Sequence, residues 1–213
     1  MQKLALILMS ALSLTSSSAF AVSYQRTDGT IVDPMQSVYG GSHPYSGVDL
    51  EPGASLSGAY LSGADVPDAD LNGATMISAE LDYANLLNAN LTEVMMFSVL
   101  LDYANLTGAN LTDAGLPYAD LVSADLTGAT LTSVNLNSAD LTGAVLTGAD
   151  LSGANLQSAT GLGSSTGAAL YDSNTDFTDT GFDPVAAGWT LVPEPGTALL
   201  MGFGLAGLAS RRR

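Results

Sequence analysis

The side chains of this chain best equipped for chemistry are its acids, and they recur at a fixed distance. Leu81-Asp82-Tyr83-Ala84-Asn85-Leu86 returns as Leu101-Asp102-Tyr103-Ala104-Asn105-Leu106, a shift of twenty, and Glu80, Leu100, Asp120 and Asp140 keep the same spacing beside it. Carboxylates roughly 5–10 Å apart are the pair that cleaves glycosidic bonds. Stacked aspartates are also a place where a hard divalent cation such as Ca²⁺ would replace mutual repulsion with attraction. Tyrosines repeated at the same interval would stack and offer the flat surface that sugar rings prefer. Other chemistry is missing from the composition. There is no cysteine, one histidine (His43) and no lysine apart from Lys3. Disulfides, thiolate catalysis, structural zinc, Schiff bases and a phosphate-binding lysine loop are thereby excluded. His43, between Ser42 and Pro44, reads as a turn residue.

The element that positions these acids is a repeat. From Ala54 to Ser158 a period of five runs without a gap. Its central position (56, 61, 66 and onward to 156) is Leu in 18 of 21 cases, the exceptions being Val66, Met76 and Met96. Two residues earlier stands Ala in 18 of 21, the exceptions being Val94, Val99 and Val134. Five residues at about 100° each advance an α-helix by about 500°, which scatters the leucines around it. On a straight strand an odd repeat flips successive leucines to opposite faces. Both apolar positions stay inside only if the chain turns a corner in each repeat, making short sides of a continuous coil that hydrogen-bonds to the next.

The motif A(D/N)LXX resembles that of the pentapeptide repeat family, over about half of the chain. The resemblance implies an all-β fold, a right-handed quadrilateral β-helix with four repeats per coil, and Leu81, Leu101, Leu121 and Leu141 as one inward ladder. The shift of twenty agrees, since it equals four fives. Residues 54–158 then make about five coils, roughly 25 Å tall at ~4.8 Å per coil. Burial of leucines at ~1.5–3 kcal/mol each supplies rigidity without disulfides. Open coil ends invite pairing with other chains, so caps are expected at residues 22–53 and 159–191. The second segment brings Tyr171, Phe177, Phe182 and Trp189 to cover the leucine-lined end.

The termini read as addresses. Lys3, an apolar stretch from Leu4 to Leu14 and the small-residue site Ala19-Phe20-Ala21 have the layout of a signal peptide, residues 1–21, cleaved after Ala21 by signal peptidase. Residues 192–213 place Pro193-Glu194-Pro195 before an apolar helix at 196–209 and then Arg211-Arg212-Arg213. Fourteen residues at 1.5 Å each reach about 21 Å, short of a ~30 Å hydrocarbon core, so any span is transient, held by the arginines on the cytoplasmic side. These three ordered elements resemble the PEP-CTERM sorting signal of Gram-negative bacteria. The resemblance implies export, temporary anchoring in the inner membrane, and processing near Pro-Glu-Pro by an exosortase.

Charge narrows the partners. Between Val22 and Pro195 one base faces 21 acids, a net charge of −20, and such a surface repels nucleic acid and anionic lipid. Residues twenty apart stack, so one face carries Ile77, Met95, Phe97, Pro117 and Tyr118. It reads either as a partner site or homo-oligomer seam, or as a local bulge that buries part of residues 95–100. The adjacent face carries Tyr83, Tyr103, Asp82 and Asp102. A convex prism faced with Ser, Thr and Gly has no evident cleft to exclude water, so the expectation is a non-enzyme without a cofactor or a dedicated metal site. The leading reading is an exported structural or adhesive protein of the cell envelope or extracellular matrix. The alternative is a surface module binding Ca²⁺ or exopolysaccharide. A third reading, duplex-DNA mimicry against topoisomerase as in some pentapeptide repeat proteins, fits the acidic prism but not export past the inner membrane.

Overall fold

The computed structural model describes residues 23–32, 36–37 and 49–193. In this span each pentapeptide forms one side of a four-sided coil. The outward residue between its two inward positions makes a single parallel bridge to the residue one coil above. The first face is the ladder Ser55, Thr75, Met95, Gly115, Asn135, Asn155 and Asp176, and the second is Tyr60, Glu80, Leu100, Asp120, Asp140 and Thr160. Asp65, Asn85, Asn105, Asp125, Val145 and Thr166 form the third, and Asp70, Asn90, Asn110, Thr130, Asp150 and Leu170 the fourth. Among the described residues there is no α-helix.

Where Asp or Asn precedes the central Leu, every backbone amide of the repeat finds a partner, which explains the motif. In the repeat around Leu106, Leu106 N donates to Asp125 O at 2.7 Å, Gly108 N to Thr127 O at 2.9 Å and Asn105 N to the coil below through Ala84 O at 2.9 Å. Ala109 N closes the corner on Leu106 O at 3.0 Å. The fifth amide, Thr107 N, finds no backbone acceptor and donates to Asn105 Oδ1 at 3.1 Å. Asn110, Asp125, Asn135 and Asp150 serve the residue two further on in the same way. The Asp or Asn before the central Leu is therefore an acceptor for an otherwise orphaned donor. Along the third and fourth faces asparagine also bridges coils, with Asn85 Nδ2 donating to Asp65 Oδ1 at 2.7 Å and Asn90 Nδ2 to Asp70 Oδ1 at 2.9 Å.

The corners carry the conformational cost. At all 21 positions from Gly58 to Ser158 taken every fifth residue, φ is positive, and 13 of these residues are not glycine. With the closing bond, that places a left-handed residue at the third position of each turn, the arrangement glycine or asparagine favours. Tyr83 and Tyr103, at φ 59° and 58°, hold it with bulky side chains. Inside, the central Leu and preceding Ala are sealed, with Leu81, Leu101, Leu121 and Leu141 at most 1% exposed.

Past Ser158 the sequence loses its period, but the ladder continues. The 3₁₀ turn Leu162–Ser164 takes one extra residue, Leu162 occupies the core slot left by Gly161, and Val145 bridges Thr166 instead of residue 165. Gly161 (φ 76°) and Gly167 (φ 86°) make the insertion fit, because a Cβ on either would fall inside the backbone of Thr142 or Thr147 respectively. Residues 159–191, expected as a cap, thus first add rungs at Thr160, Thr166, Leu170 and Asp176.

The coil ends are covered as follows. A parallel pair, β5 (Leu170–Tyr171) with β6 (Thr190–Leu191), tops the fourth face. Tyr171, Phe177, Phe182 and Trp189 pack ring to ring, with centroids 4.9–5.9 Å apart, against the last core residues. At the lower end β1 (Tyr24–Gln25) pairs with β2 (Ile31–Val32) across Asp28-Gly29 and meets Leu50 and residues 68–70. β3 (Gln36–Ser37) pairs with β4 (Ala64–Asp65) on the third face. Tyr24 is buried beneath the first coil. Ala19, Ala21, His43, Glu194, Pro195, the apolar stretch 196–209 and Arg211, Arg212 and Arg213 lie outside the described residues, while Pro193 is described and exposed.

Candidate functional site

Face two gathers what the sequence offered as two separate surfaces. Its left corner carries Ile77, Phe97 and Pro117-Tyr118, its rungs include Tyr60, Glu80, Leu100, Asp120 and Asp140, and its right corner carries Asp82-Tyr83 and Asp102-Tyr103. Met95 is the neighbouring rung of the first face. Of eleven exposed large apolar side chains among the described residues, eight belong to this group. Met95 is 50% and Phe97 48% exposed, so residues 95–100 do not fold inward as a bulge. Tyr118, 59% exposed, stands on the patch where its register position puts it, and Tyr60, the most exposed of the eight at 69%, joins it as a rung of the same face.

The predicted tyrosine ladder forms. Tyr83 and Tyr103 stack with centroids 5.0 Å apart and planes 3° from parallel, because each coil presents the same left-handed corner one strand spacing above the last. Above Tyr103 the corner continues as Ser123 and Gly143, so the rings end at small residues.

The aspartates behave differently from the ladder the sequence suggested. Leu100 stands where the motif needs Asp or Asn, so the amide of Asp102 lacks the usual acceptor and instead donates to Asp82 Oδ1 one coil below, at 2.9 Å. Asp102 Oδ1 in turn takes the amide of Val122 at 3.0 Å. That amide is the one Asp120 would accept if it followed the motif. Asp120 Oδ1 is left buried and without a donor, facing the Asp102 carboxyl. Two carboxyls thus compete for one amide. Burial first, then the hydrogen bond and charge of Asp120, with a lesser push from Asp82, raise the Asp102 carboxyl to about 6 against the pull of the Val122 amide. A proton on Asp102 supplies the donor that Asp120 Oδ1 lacks. Asp140, one coil up, shows the ordinary arrangement: the Thr142 hydroxyl and amide and the Thr160 hydroxyl hold it below the usual carboxylate range.

A prediction follows for pH. With its folded pKa raised, Asp102 favours the native state fully below about pH 4 and loses that contribution as pH rises through about 6. Asp102→Asn keeps an acceptor for Val122 and gives Asp120 a permanent donor, as Asn85 does for Asp65. We expect the variant to be more stable than the parent above pH 6 by about 1–2 kcal/mol, a value already discounted for the side chain's partial exposure. The gain should vanish near pH 4. Chemical denaturation of both proteins across pH 4–8 measures the difference.

For a metal, the donors are poorly disposed. Among the described residues no group of three or more His, Asp or Glu side chains could hold an ion, and the inner oxygens of Asp82 and Asp102 already accept backbone amides. No described helix is long and apolar enough to cross a membrane.

The family model for pentapeptide repeats matches eight copies over residues 54–94, 98–128 and 124–160, and the model for the PEP-CTERM protein-sorting motif matches residues 191–213. No curated protein matches. Among solved structures, a pentapeptide repeat protein from Nostoc Pcc 7120 is 36% identical over 53% of this chain and 84% of its own, with a TM-score of 0.28. A second, from the cyanobacterium Cyanothece 51142, is 26% identical over 59% and 89%, with a TM-score of 0.24. A third, from the thylakoid lumen of Arabidopsis thaliana, is 28% identical over 50% and 68%, with a TM-score of 0.21. On its repeat copies the chain belongs to the pentapeptide repeat proteins, and it carries a PEP-CTERM protein-sorting motif at residues 191–213.

Proposed function

We propose that this protein is an exported, non-enzymatic structural or adhesive component of the cell envelope or extracellular matrix, delivered by an exosortase. The observation that carries the reading is the PEP-CTERM motif at residues 191–213, which implies export, exosortase processing and an envelope or surface location. The body fits that destination. Uninterrupted ladders on four faces and a sealed core of Leu and Ala give a rigid rod without disulfides. Its net charge away from the termini keeps it soluble and separate from nucleic acid and anionic lipid. The Asp102–Asp120 pair, although a carboxyl and a carboxylate side by side, is accounted for by competition for the Val122 amide and lies on an outward face, so no catalytic role is needed to explain it.

The test is the intact mass, with both termini mapped, of protein recovered from envelope and medium fractions of its native host. The expected chain begins at Val22 and ends near Pro195. Replacing Arg211, Arg212 and Arg213 by serine should leave the C-terminal segment uncleaved and lower the amount in the medium at least several-fold. Recovery of a chain that retains Met1 and Arg213 in a soluble cytoplasmic fraction would overturn the reading and favour an intracellular acidic mimic. Purified protein that cleaves acidic glycans would instead overturn its non-enzymatic half.

A further inference from the structure

We propose that the upper part of face two is a binding site for a neutral, hydroxyl-rich polysaccharide, with Tyr103 and Tyr118 as its two stacking platforms. The inference goes beyond the structural reading above and rests on it only in requiring that the protein reach an extracellular polymer.

Shape comes first. Tyr103 closes a two-ring stack whose planes lie 3° from parallel at 5.0 Å, and the next residue on that corner is Ser123, then Gly143. Small residues at those levels leave the outer ring face open at the spacing where one more flat ring would continue the stack. Tyr118 is carried at the opposite corner of the same face and is 59% exposed. Between the two stands Leu100, 39% exposed, with Asp120 on the rung above it. Two ring platforms flanking an apolar floor and bordered by carboxylates match a pyranose, which has one apolar ring face and a rim of hydroxyl donors.

Charge selects among the remaining occupants. The charged side chains of this face are acids only, and from Asp28 to Glu194 the chain has no Lys or Arg. The face therefore accepts hydrogen bonds and has few to give. An anionic polymer is repelled. A second copy would bring the same acceptor-rich face, so two copies leave carboxylates opposed in a closing interface. A neutral polyol supplies donors without adding charge.

The conformation of the corner makes a clean test available. Tyr103 and Tyr118 occupy left-handed positions at φ 58° and 59° that glycine holds at eight other corners, so Tyr103→Gly and Tyr118→Gly remove the rings while relieving backbone strain. The purified full chain is run in affinity gel electrophoresis through gels containing a neutral β-glucan, a neutral galactomannan or the acidic polymer polygalacturonate. The expected result is retardation by at least one neutral polymer, weakened tenfold or more in either variant and unchanged in Thr130→Ala on the far face, with thermal melting confirming that the variants fold. Several results would overturn the site. They are no retardation by either neutral polymer, equal retardation of parent and glycine variants, retention by polygalacturonate alone, Tyr103-dependent capture of polylysine without neutral binding, or Tyr103-dependent dimers in sedimentation. None of these alters the mapped termini, so failure here is distinguishable from failure of the export reading.

Discussion

Gly161→Ala is expected to strip the last turn from the coil. The substitution forces a Cβ into the backbone nitrogen and Cα of Thr142, and it does so at φ 76°, where an L side chain is already disfavoured. The conformational part costs about 1–2 kcal/mol, and overpacking against backbone adds about 1–3 kcal/mol. A total of roughly 3 kcal/mol falls on the bonds that hold Thr160, Thr166 and the ring cluster above them. Trp189, the single tryptophan of the chain, is 6% exposed within that cluster. Its emission should therefore shift to the red at temperatures where the lower coils stay folded by far-ultraviolet dichroism. Gly163→Ala is the control: its φ is not positive and nothing lies within 4 Å of the added carbon. An unshifted tryptophan signal in Gly161→Ala would mean that the extra turn is not held as described.

The second large effect is at the centre. Leu101 is fully buried between Leu81 below and Leu121 above, with Val99 beside it. Leu101→Ala should destabilise by about 2–5 kcal/mol in guanidinium unfolding, because stacked coils leave little room for neighbours to close the cavity. Leu101→Met should cost less than about 1.5 kcal/mol, since the fold already places Met76 and Met96 at equivalent central positions. In a stack whose coils touch only their neighbours, stability is a sum of local and nearest-neighbour terms. Loss at Leu101 should thus weaken the middle coils first and broaden the transition. Equal melting of Leu101→Ala and the parent would contradict a continuous central core.

These two positions differ in how far the sequence anticipates them. Leu101 is visible as a member of a ladder because its type and its place in the period agree. Gly161 reads as the point where the register fails, and it is instead the residue that lets the ladder absorb an insertion and continue. One extra residue at a corner and one fewer before Leu170 restore the bridges, a compensation that depends on how close two backbones come. The same limit applies at face two. Leu100 is recognisable as an exception to the Asp/Asn position, yet its consequence is felt two coils wide: Asp102 turns to Asp82 below and takes the Val122 amide from Asp120 above. A list of stacked aspartates contains no information about which of them wins an amide. The two surfaces carrying Met95 and Phe97 and carrying Tyr83 and Tyr103 also looked separate, because their residues differ in register by one repeat, and only the corner geometry makes them borders of one face.

What the amino-acid sequence determined by itself is the period of five, and with it the inside, the outside and the twenty-residue return, together with the sorting motif at residues 191–213. These follow from residue type and spacing alone, since burial of apolar side chains and satisfaction of backbone amides impose the same choice on every repeat. What the tertiary structure decided is each place where the repeat is broken. The raised Asp102 carboxyl, the open ring face of Tyr103 and the tight passage at Gly161 all arise from groups eighteen to twenty residues apart meeting within a few ångströms, and such short-range competition is settled by packing.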